Sequence, residues 1–142
     1  TAGQVTDTIA INRAVATEMT TVNVPIVIPS NSAANKGAKL TSIEIDYEIL
    51  TAACTSVAAL VNKVTRGADL AVAVVATTPP PFTQTPTAAV ADDVDQHRLI
   101  LTITTPFWLD NDEYVLVEWS FDAAATTTIK FYGAVANYTV RV

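Results

Sequence analysis

The chain has 142 residues, a mass of 15.0 kDa, a formal net charge of −6 and a pI near 4.5. This length fits a single domain, 1–142, with one hydrophobic core that needs no disulfide or metal. The only cysteine, Cys54, excludes an internal disulfide. Because phosphate binding needs clustered Lys and Arg, the acidic balance also argues against nucleic acid as a partner.

Strand-forming residues dominate the composition, with 22 Thr, 18 Val and 10 Ile. The clearest strand covers residues 41–50, where apolar and polar side chains alternate with period two. One face is predicted to be buried and consists of Ile43, Ile45, Tyr47 and Ile49. The other carries Ser42, Glu44, Asp46 and Glu48. These acids would repel one another unless they are solvated or paired with Lys or Arg on neighbouring strands, and we predict that they face solvent.

Similar patterns predict further strands along the rest of the chain. They lie at 8–15, 22–28, 56–65, 69–77, 98–105, 113–121 and 128–142, with a glycine turn near Gly67 and a bulge or close approach at Gly133. A short helix within 52–60 remains an alternative. About eight evenly spaced strands predict an all-β fold, an antiparallel β-sandwich of jelly-roll type. The alternation places Trp119 and Phe121 in its core.

Two segments fall outside these strands, an N-terminal arm at 1–7 and a long Pro-rich loop at 78–95. We expect both to pack on neighbouring subunits. The longest nearly uncharged stretch, 70–91, contains Pro79, Pro80, Pro81 and Pro86. Because proline interrupts a helix, this stretch cannot be a spanning helix, and a soluble protein without a membrane partner is expected.

One cluster could bind a cation, and it contains Asp92, Asp93, Asp95 and His97. Ca²⁺ prefers several oxygen ligands on a flexible loop, but the spacing does not match an EF-hand. A solvated acidic loop before a strand is the favoured interpretation. The four residues therefore remain weak candidates, and we expect no metal or cofactor.

Catalytic chemistry has little support in the sequence. Asp110, Asp112 and Glu113 could form a carboxylate pair for hydrolysis, but Asp and Asn are also typical of a turn. His97 could act as a general base, although no Gly-x-Ser-x-Gly nucleophile motif accompanies it. Cys54 lies among small residues and is interpreted as a buried filler. We expect a non-enzymatic protein without catalytic residues.

An aromatic side chain beside polar ones supports a different hypothesis. Trp108 precedes Asp110, Asn111 and Asp112 on one connection, and sugar-binding sites combine a stacking ring with such groups. A carbohydrate-binding or host-adhesion module is therefore the alternative function, with a glycan as its partner. The competing interpretation is that the aromatic residues of the last third fill the core and a subunit interface.

The chain ends in two β-rich segments that resemble small jelly-roll structural proteins of tailed phages and related viruses. They are Thr104-Thr-Pro-Phe-Trp-Leu-Asp-Asn-Asp-Glu-Tyr-Val-Leu-Val-Glu-Trp119 and Ile129-Lys-Phe-Tyr-Gly-Ala-Val-Ala-Asn-Tyr-Thr-Val140. Their order of turns and strands is also similar to that of trimeric tumour-necrosis-factor-like jelly rolls. The resemblance implies a capsid decoration, head-fibre or minor capsid protein, made in the host cytoplasm and located on the virion surface. It further implies a homotrimer in contact with other virion proteins.

Hydropathy agrees with an assembling subunit. Half of the residues are hydrophobic, only 15% are charged, and the mean hydropathy is +0.34. A small monomer of this composition would expose apolar patches, which usually mark interfaces. We therefore expect the protein to self-associate.

Overall fold

A computed structural model describes residues 4–6, 11–13, 18–29, 37–66, 74–76, 79–123 and 125–140. These residues form ten strands and one short helix. They are β1 (Gln4–Thr6), β2 (Ile11–Arg13), β3 (Glu18–Ile26), β4 (Ala38–Leu50), β5 (Cys54–Arg66), β6 (Val74–Ala76), β7 (Phe82–Thr85), α1 (Ala88–Ala91), β8 (Gln96–Trp108), β9 (Glu113–Ala123) and β10 (Thr128–Val140).

The strands form two antiparallel sheets that pack as a sandwich. The larger sheet has the order β1-β2-β10-β4-β8-β7, and the smaller has the order β3-β9-β5-β6. Four antiparallel pairs, β2 with β10, β3 with β9, β4 with β8 and β5 with β6, alternate between the two sheets. This nested pairing is the jelly-roll arrangement of eight strands. The predicted fold class is confirmed, and β1 and β7 are additional edge strands.

Alternating side chains fill the core between the sheets. On β4 the predicted buried face is confirmed, because Ile43, Ile45, Tyr47 and Ile49 are all nearly inaccessible to solvent. Across the core, Trp119 packs against the rings of Tyr47, Phe121 and Phe131. This cluster confirms the predicted core positions on β9. The indole N–H of Trp119 has no hydrogen-bond partner among the described residues.

The Pro-rich segment 78–95 is more ordered than predicted. Residues 82–85 form β7, which pairs with β8, and residues 88–91 form the helix α1. Phe82 packs against the core, and Ala91 is fully buried. The prediction of a continuous irregular loop was therefore wrong. The prolines precede or follow β7, and an edge strand needs hydrogen bonds on one side only.

The structure also refines other sequence predictions. Residues 4–6 of the predicted arm form β1 and pair with β2 of the same chain, whereas residues 1–3 and 7 lie outside the described residues. Residues 54–60 are strand, so the alternative helix within 52–60 is wrong. The β5–β6 pairing agrees with a hairpin, although residues 67–73 lie outside the described residues.

Gly133 marks a bulge in β10, as predicted. The register with β4 shifts between Phe131 and Gly133, and the glycine has a φ of +149°. A Cβ atom built there would meet no other atom within 4 Å. The positive φ therefore explains the glycine at this position. A close approach of another segment does not explain it, because there is room for a Cβ atom.

Candidate functional surface

The outer face of the larger sheet carries a continuous polar network, which we call the outer-face network. Its centre is Arg98 on β8, which donates two hydrogen bonds to Asp46 on β4, at 2.8 and 3.2 Å. The same guanidinium lies 3.5 Å from a carboxylate oxygen of Glu44. The antiparallel register places Arg98 directly opposite Asp46, so β-strand pairing itself builds this contact.

Glu48 holds the other half of the outer-face network. Tyr132 donates a 2.7 Å hydrogen bond to this carboxylate, and Gln96 donates another at 3.3 Å. The ammonium of Lys130 lies 3.4 Å away. The hydrogen bond from Tyr132 is the main cause of a lowered pKa of Glu48, and Gln96 and Lys130 add to it against a smaller effect of burial.

The acids of β4 are therefore paired across strands. Asn137 on β10 completes the network with a 2.8 Å hydrogen bond to Glu44 and a 3.1 Å bond to Ser42. The sequence predicted that these acids face solvent, and they lie on the outer face, where cross-strand partners leave their side chains 15–36% exposed. It missed Arg98, Lys130, Tyr132 and Asn137 as partners because they lie on strands far from β4 in sequence.

A shallow recess of about 560 Å³ opens within this network. Six described residues line it, namely Asp46, Tyr47, Gln96, His97, Arg98 and Tyr132. Both charged groups, Asp46 and Arg98, already bind each other. A charged ligand here would have to displace that ion pair. The recess is therefore better explained as hydrated surface than as a binding site for a charged ligand.

The acidic segment 92–97 closes one end of the sandwich through backbone contacts. The carbonyl oxygens of Asp92 and Asp95 accept hydrogen bonds from the N–H groups of Cys54 and Ile49, at 2.8 and 2.9 Å. The ring of His97 stacks on Tyr47 with a centroid distance of 5.1 Å. Its Nε2 donates to the carbonyl of Asp93 over 2.8 Å, because a carbonyl only accepts.

These contacts hold in place the segment that contains the four weak cation candidates. Among the described residues, no group of three or more His, Cys, Asp or Glu side chains could hold a metal ion. The structure thus does not join the side chains of Asp92, Asp93, Asp95 and His97 into a coordination site. Cys54 is buried, as expected for a filler.

A partly buried ion pair lies at the other end of the sandwich. Lys63 Nζ is 2.7 Å from Glu113 Oε1, and the Glu113 side chain is only 10% exposed. The ammonium also lies 5.6 Å from the ring centroid of Phe107. Burial acts to raise the pKa of Glu113, but the hydrogen bond and charge of Lys63 and the backbone N–H of Asp110 together lower it.

The residues of the predicted glycan site lie at the end of β8 and in the β8–β9 turn. The N–H of Asp110 donates to Glu113 over 2.9 Å, which is turn stabilisation. Asn111 lines a cavity of about 420 Å³ together with Pro25, Ile26, Val27, Ile28, Glu113 and Tyr114. Trp108 is not among its described lining residues. It pairs with Lys39 on the larger sheet and is 39% exposed.

Large apolar side chains are exposed near the C-terminal half of β10. Val135, Tyr138 and Val140 are 54%, 40% and 49% exposed. Sequence alternation did not single them out, because small residues separate them and β10 has two register irregularities. The register places Val135 opposite Glu44 on the outer face, whereas Tyr138 and Val140 lie opposite the buried Leu40 and Ala38 on the core side.

Comparisons with known proteins do not extend this description, since no family model, no curated protein and no solved structure matches the chain. Within the described part of the chain, no helix is long and apolar enough to cross a membrane.

Proposed function

We propose that this protein is a non-enzymatic structural subunit of a virion, a capsid decoration or capsid-associated protein that self-assembles. The observation that carries the proposal is the nested pairing of β2 with β10, β3 with β9, β4 with β8 and β5 with β6. Jelly rolls with this pairing serve as viral capsid and lectin domains and as cupins. The resemblance of residues 104–119 and 129–140 to phage jelly-roll proteins favours the capsid class.

Surface chemistry supports self-association. The exposed apolar side chains on β10 would contact water in a monomer, and such groups usually mark an interface. By contrast, the outer-face network neutralises the acids of β4 with Arg98 and Lys130. Burying that polar face would require a partner with matching hydrogen bonds. Burying the apolar side chains of β10 is favourable by itself, because it removes them from water.

The assembly proposed here is a homotrimer on the capsid surface, made in the host cytoplasm, with other virion proteins as further partners. This oligomer number follows from the likeness to trimeric jelly rolls. No cofactor, nucleic acid or membrane is needed for it. The N-terminal arm and the segment 78–95 are proposed to contribute contacts between subunits.

Sedimentation velocity over a wide range of protein concentration tests this proposal. A discrete oligomer that persists on dilution is the expected result, because a symmetric assembly has closed contacts. A single species of 15 kDa at every concentration would remove the basis for an assembling subunit. Limited proteolysis then asks whether 78–91 is cut more slowly in the oligomer than in dissociated protein.

A glycan-binding module is the second candidate, and the partial exposure of Trp108 favours it. Its ring lies on the outer side of the larger sheet, where a sugar could stack. A glycan array with the natural protein and Trp108→Ala decides the matter. Binding that is lost in the variant supports the module, whereas no binding, or equal binding by both proteins, contradicts it.

A further inference from the structure

Among the described residues, the strand β10 is paired on one side only for most of its length. It pairs with β4 from Thr128 to Val140, but its other neighbour, β2, pairs with residues 129–131 alone. The strand β2 also pairs with β1, with Thr6 opposite Ile11. No described strand pairs with the second side of residues 133–140, which we call the β10 edge.

The core side of the β10 edge is incompletely covered as well. Tyr138 lies opposite Leu40 and Val140 lies opposite Ala38, and both of these β4 residues are fully buried. Residues paired in this way project from the same face of a sheet. Tyr138 and Val140 are nevertheless 40% and 49% exposed, so apolar groups on the core side of the sheet remain accessible to water.

The β10 edge also lacks the usual features that prevent strands from pairing. Natural proteins protect exposed edges with charged residues, prolines or very short strands. Residues 131–140 contain no Asp, Glu, Lys, Arg or Pro. Two register irregularities with β4 interrupt this edge, the bulge at Gly133 at its start and a shift between Asn137 and Tyr138. The remaining residues present an extended, uncharged backbone.

Among the described strands, the best match for this edge is the same edge of another copy. Of the other edge strands, the described parts of β1 and β6 have three residues each, and β7 has four. The strand β3 is long enough, but it contains Glu18 and Pro25. Proline has no N–H to donate, and a charge opposes burial. Two uncharged β10 edges also add no like-charge repulsion of their own to a contact between copies of net charge −6.

We infer that the β10 edge pairs antiparallel with the β10 edge of a second copy of this chain, about a two-fold axis. This contact would join the larger sheets of two copies into one continuous sheet. It rests on the self-association in the proposed function and names the surface involved. In an assembly built from trimers, the contact links one trimer to the next.

Side-chain sizes suit this arrangement. With the axis at Ala136, Tyr138 of each copy lies opposite Ala134 of the other. Ala134 and Ala136 pack against the core and leave room for a larger neighbour on the same face. The pairing would therefore cover Tyr138 and satisfy the free backbone groups at once, which is how added strands bind to sheet edges.

Hydrogen exchange at increasing protein concentration tests the inference directly. In dilute protein, the amides of 133–140 that do not bond to β4 should exchange rapidly. Association should slow them selectively, while the amides bonded to β4 are protected under both conditions. If an oligomer forms and the edge amides still exchange rapidly, the edge inference is wrong and assembly uses another surface. If the protein never associates, the proposed function and the inference both fail.

A matched pair of charge variants provides the second test. Val135→Lys places a charge on the β10 edge, and Glu44 lies opposite this position, so the fold should tolerate it. Thr83→Lys adds the same charge to exposed β7 at the opposite edge of the sheet. We expect Val135→Lys to raise the concentration needed for association roughly tenfold or more, and Thr83→Lys to have little effect. Equal effects, with both variants folded by circular dichroism, would overturn the inference.

Discussion

The hydroxyl of Tyr47 donates a 2.6 Å hydrogen bond to the carbonyl oxygen of Ala91. This bond joins β4 of the larger sheet to the short helix α1. Both residues are buried, so no water replaces this bond. The contact spans 44 positions in sequence and holds the end of the Pro-rich segment against the sandwich.

Removing this hydroxyl should destabilise the protein. Tyr47→Phe keeps the ring but leaves the carbonyl of Ala91 buried without its donor, which costs about 1–2 kcal/mol. Urea unfolding followed by tryptophan fluorescence measures the change. Tyr138→Phe is the matched control, since it removes a hydroxyl from a side chain that is 40% exposed, and its effect should remain within about 0.5 kcal/mol. Equal losses in the two variants would contradict a structural role for the Tyr47 contact.

The same hydroxyl predicts a change in stability at alkaline pH. Burial is the main cause of a strongly raised pKa of Tyr47, with smaller contributions from Cys54 and Asp92. The folded state therefore retains this proton at pH values where the unfolded chain loses it. Stability should fall as the pH rises above about 10, the value for an unfolded tyrosine.

Comparing unfolding of the natural protein and Tyr47→Phe between pH 8 and pH 11 isolates this contribution. The variant lacks the titrating group, so its stability should decline less steeply above about pH 10. Parallel declines in both proteins would show that Tyr47 ionises equally in the folded and unfolded states.

The ion pair of Lys63 with Glu113 should contribute to stability at neutral pH and lose its effect in acid. Because the pKa of Glu113 is lowered on folding, its contribution is present above the unfolded value, about 4.3, and is lost as the pH falls through the folded value. Glu113→Gln should cost about 1–2 kcal/mol at pH 7, between the values for exposed and buried pairs.

Thermal unfolding from pH 7 to pH 3 provides the measurement. The difference between the natural protein and Glu113→Gln should shrink in acid. Asp112→Asn removes an exposed charge from the same turn and should leave the curve almost unchanged. A constant difference at all pH values would mean that the charge of Glu113 is not what stabilises this end of the sandwich.

The outer-face network should respond to salt. Arg98→Gln removes the positive charge that Asp46 and Glu44 share, so these two carboxylates then repel each other. We expect a lower melting temperature in low salt and a smaller difference in 1 M NaCl, because salt screens exposed charges. Thr102→Gln on the same strand serves as the control. A loss independent of salt would assign Arg98 a packing role instead.

Strand positions could be predicted from the sequence wherever one face is buried. On β4 and β9, apolar residues at every second position led to the correct faces, including Tyr47 and Trp119. The strand count then favoured the jelly roll that the pairing order confirms. β7 was missed because it is four residues long and follows three prolines, which together resemble an irregular loop.

The candidate surfaces were much harder to predict, because they depend on register between distant strands. Nothing near Asp46 in sequence identifies Arg98 as its partner, since the two residues are 52 positions apart. Likewise, nothing in the sequence shows that the described pairing of β2 with β10 covers only residues 129–131. A composition rich in Val and Thr predicts strands but not which strand edges remain uncovered.

Electron microscopy of the purified protein at high concentration tests the central claim most directly, since that claim is assembly into a symmetric structure. We predict regular particles whose class averages show repeated subunits with rotational symmetry. Fields that contain only separate 15 kDa molecules, under conditions where the protein remains folded, would contradict the proposal that this jelly roll is an assembling structural subunit.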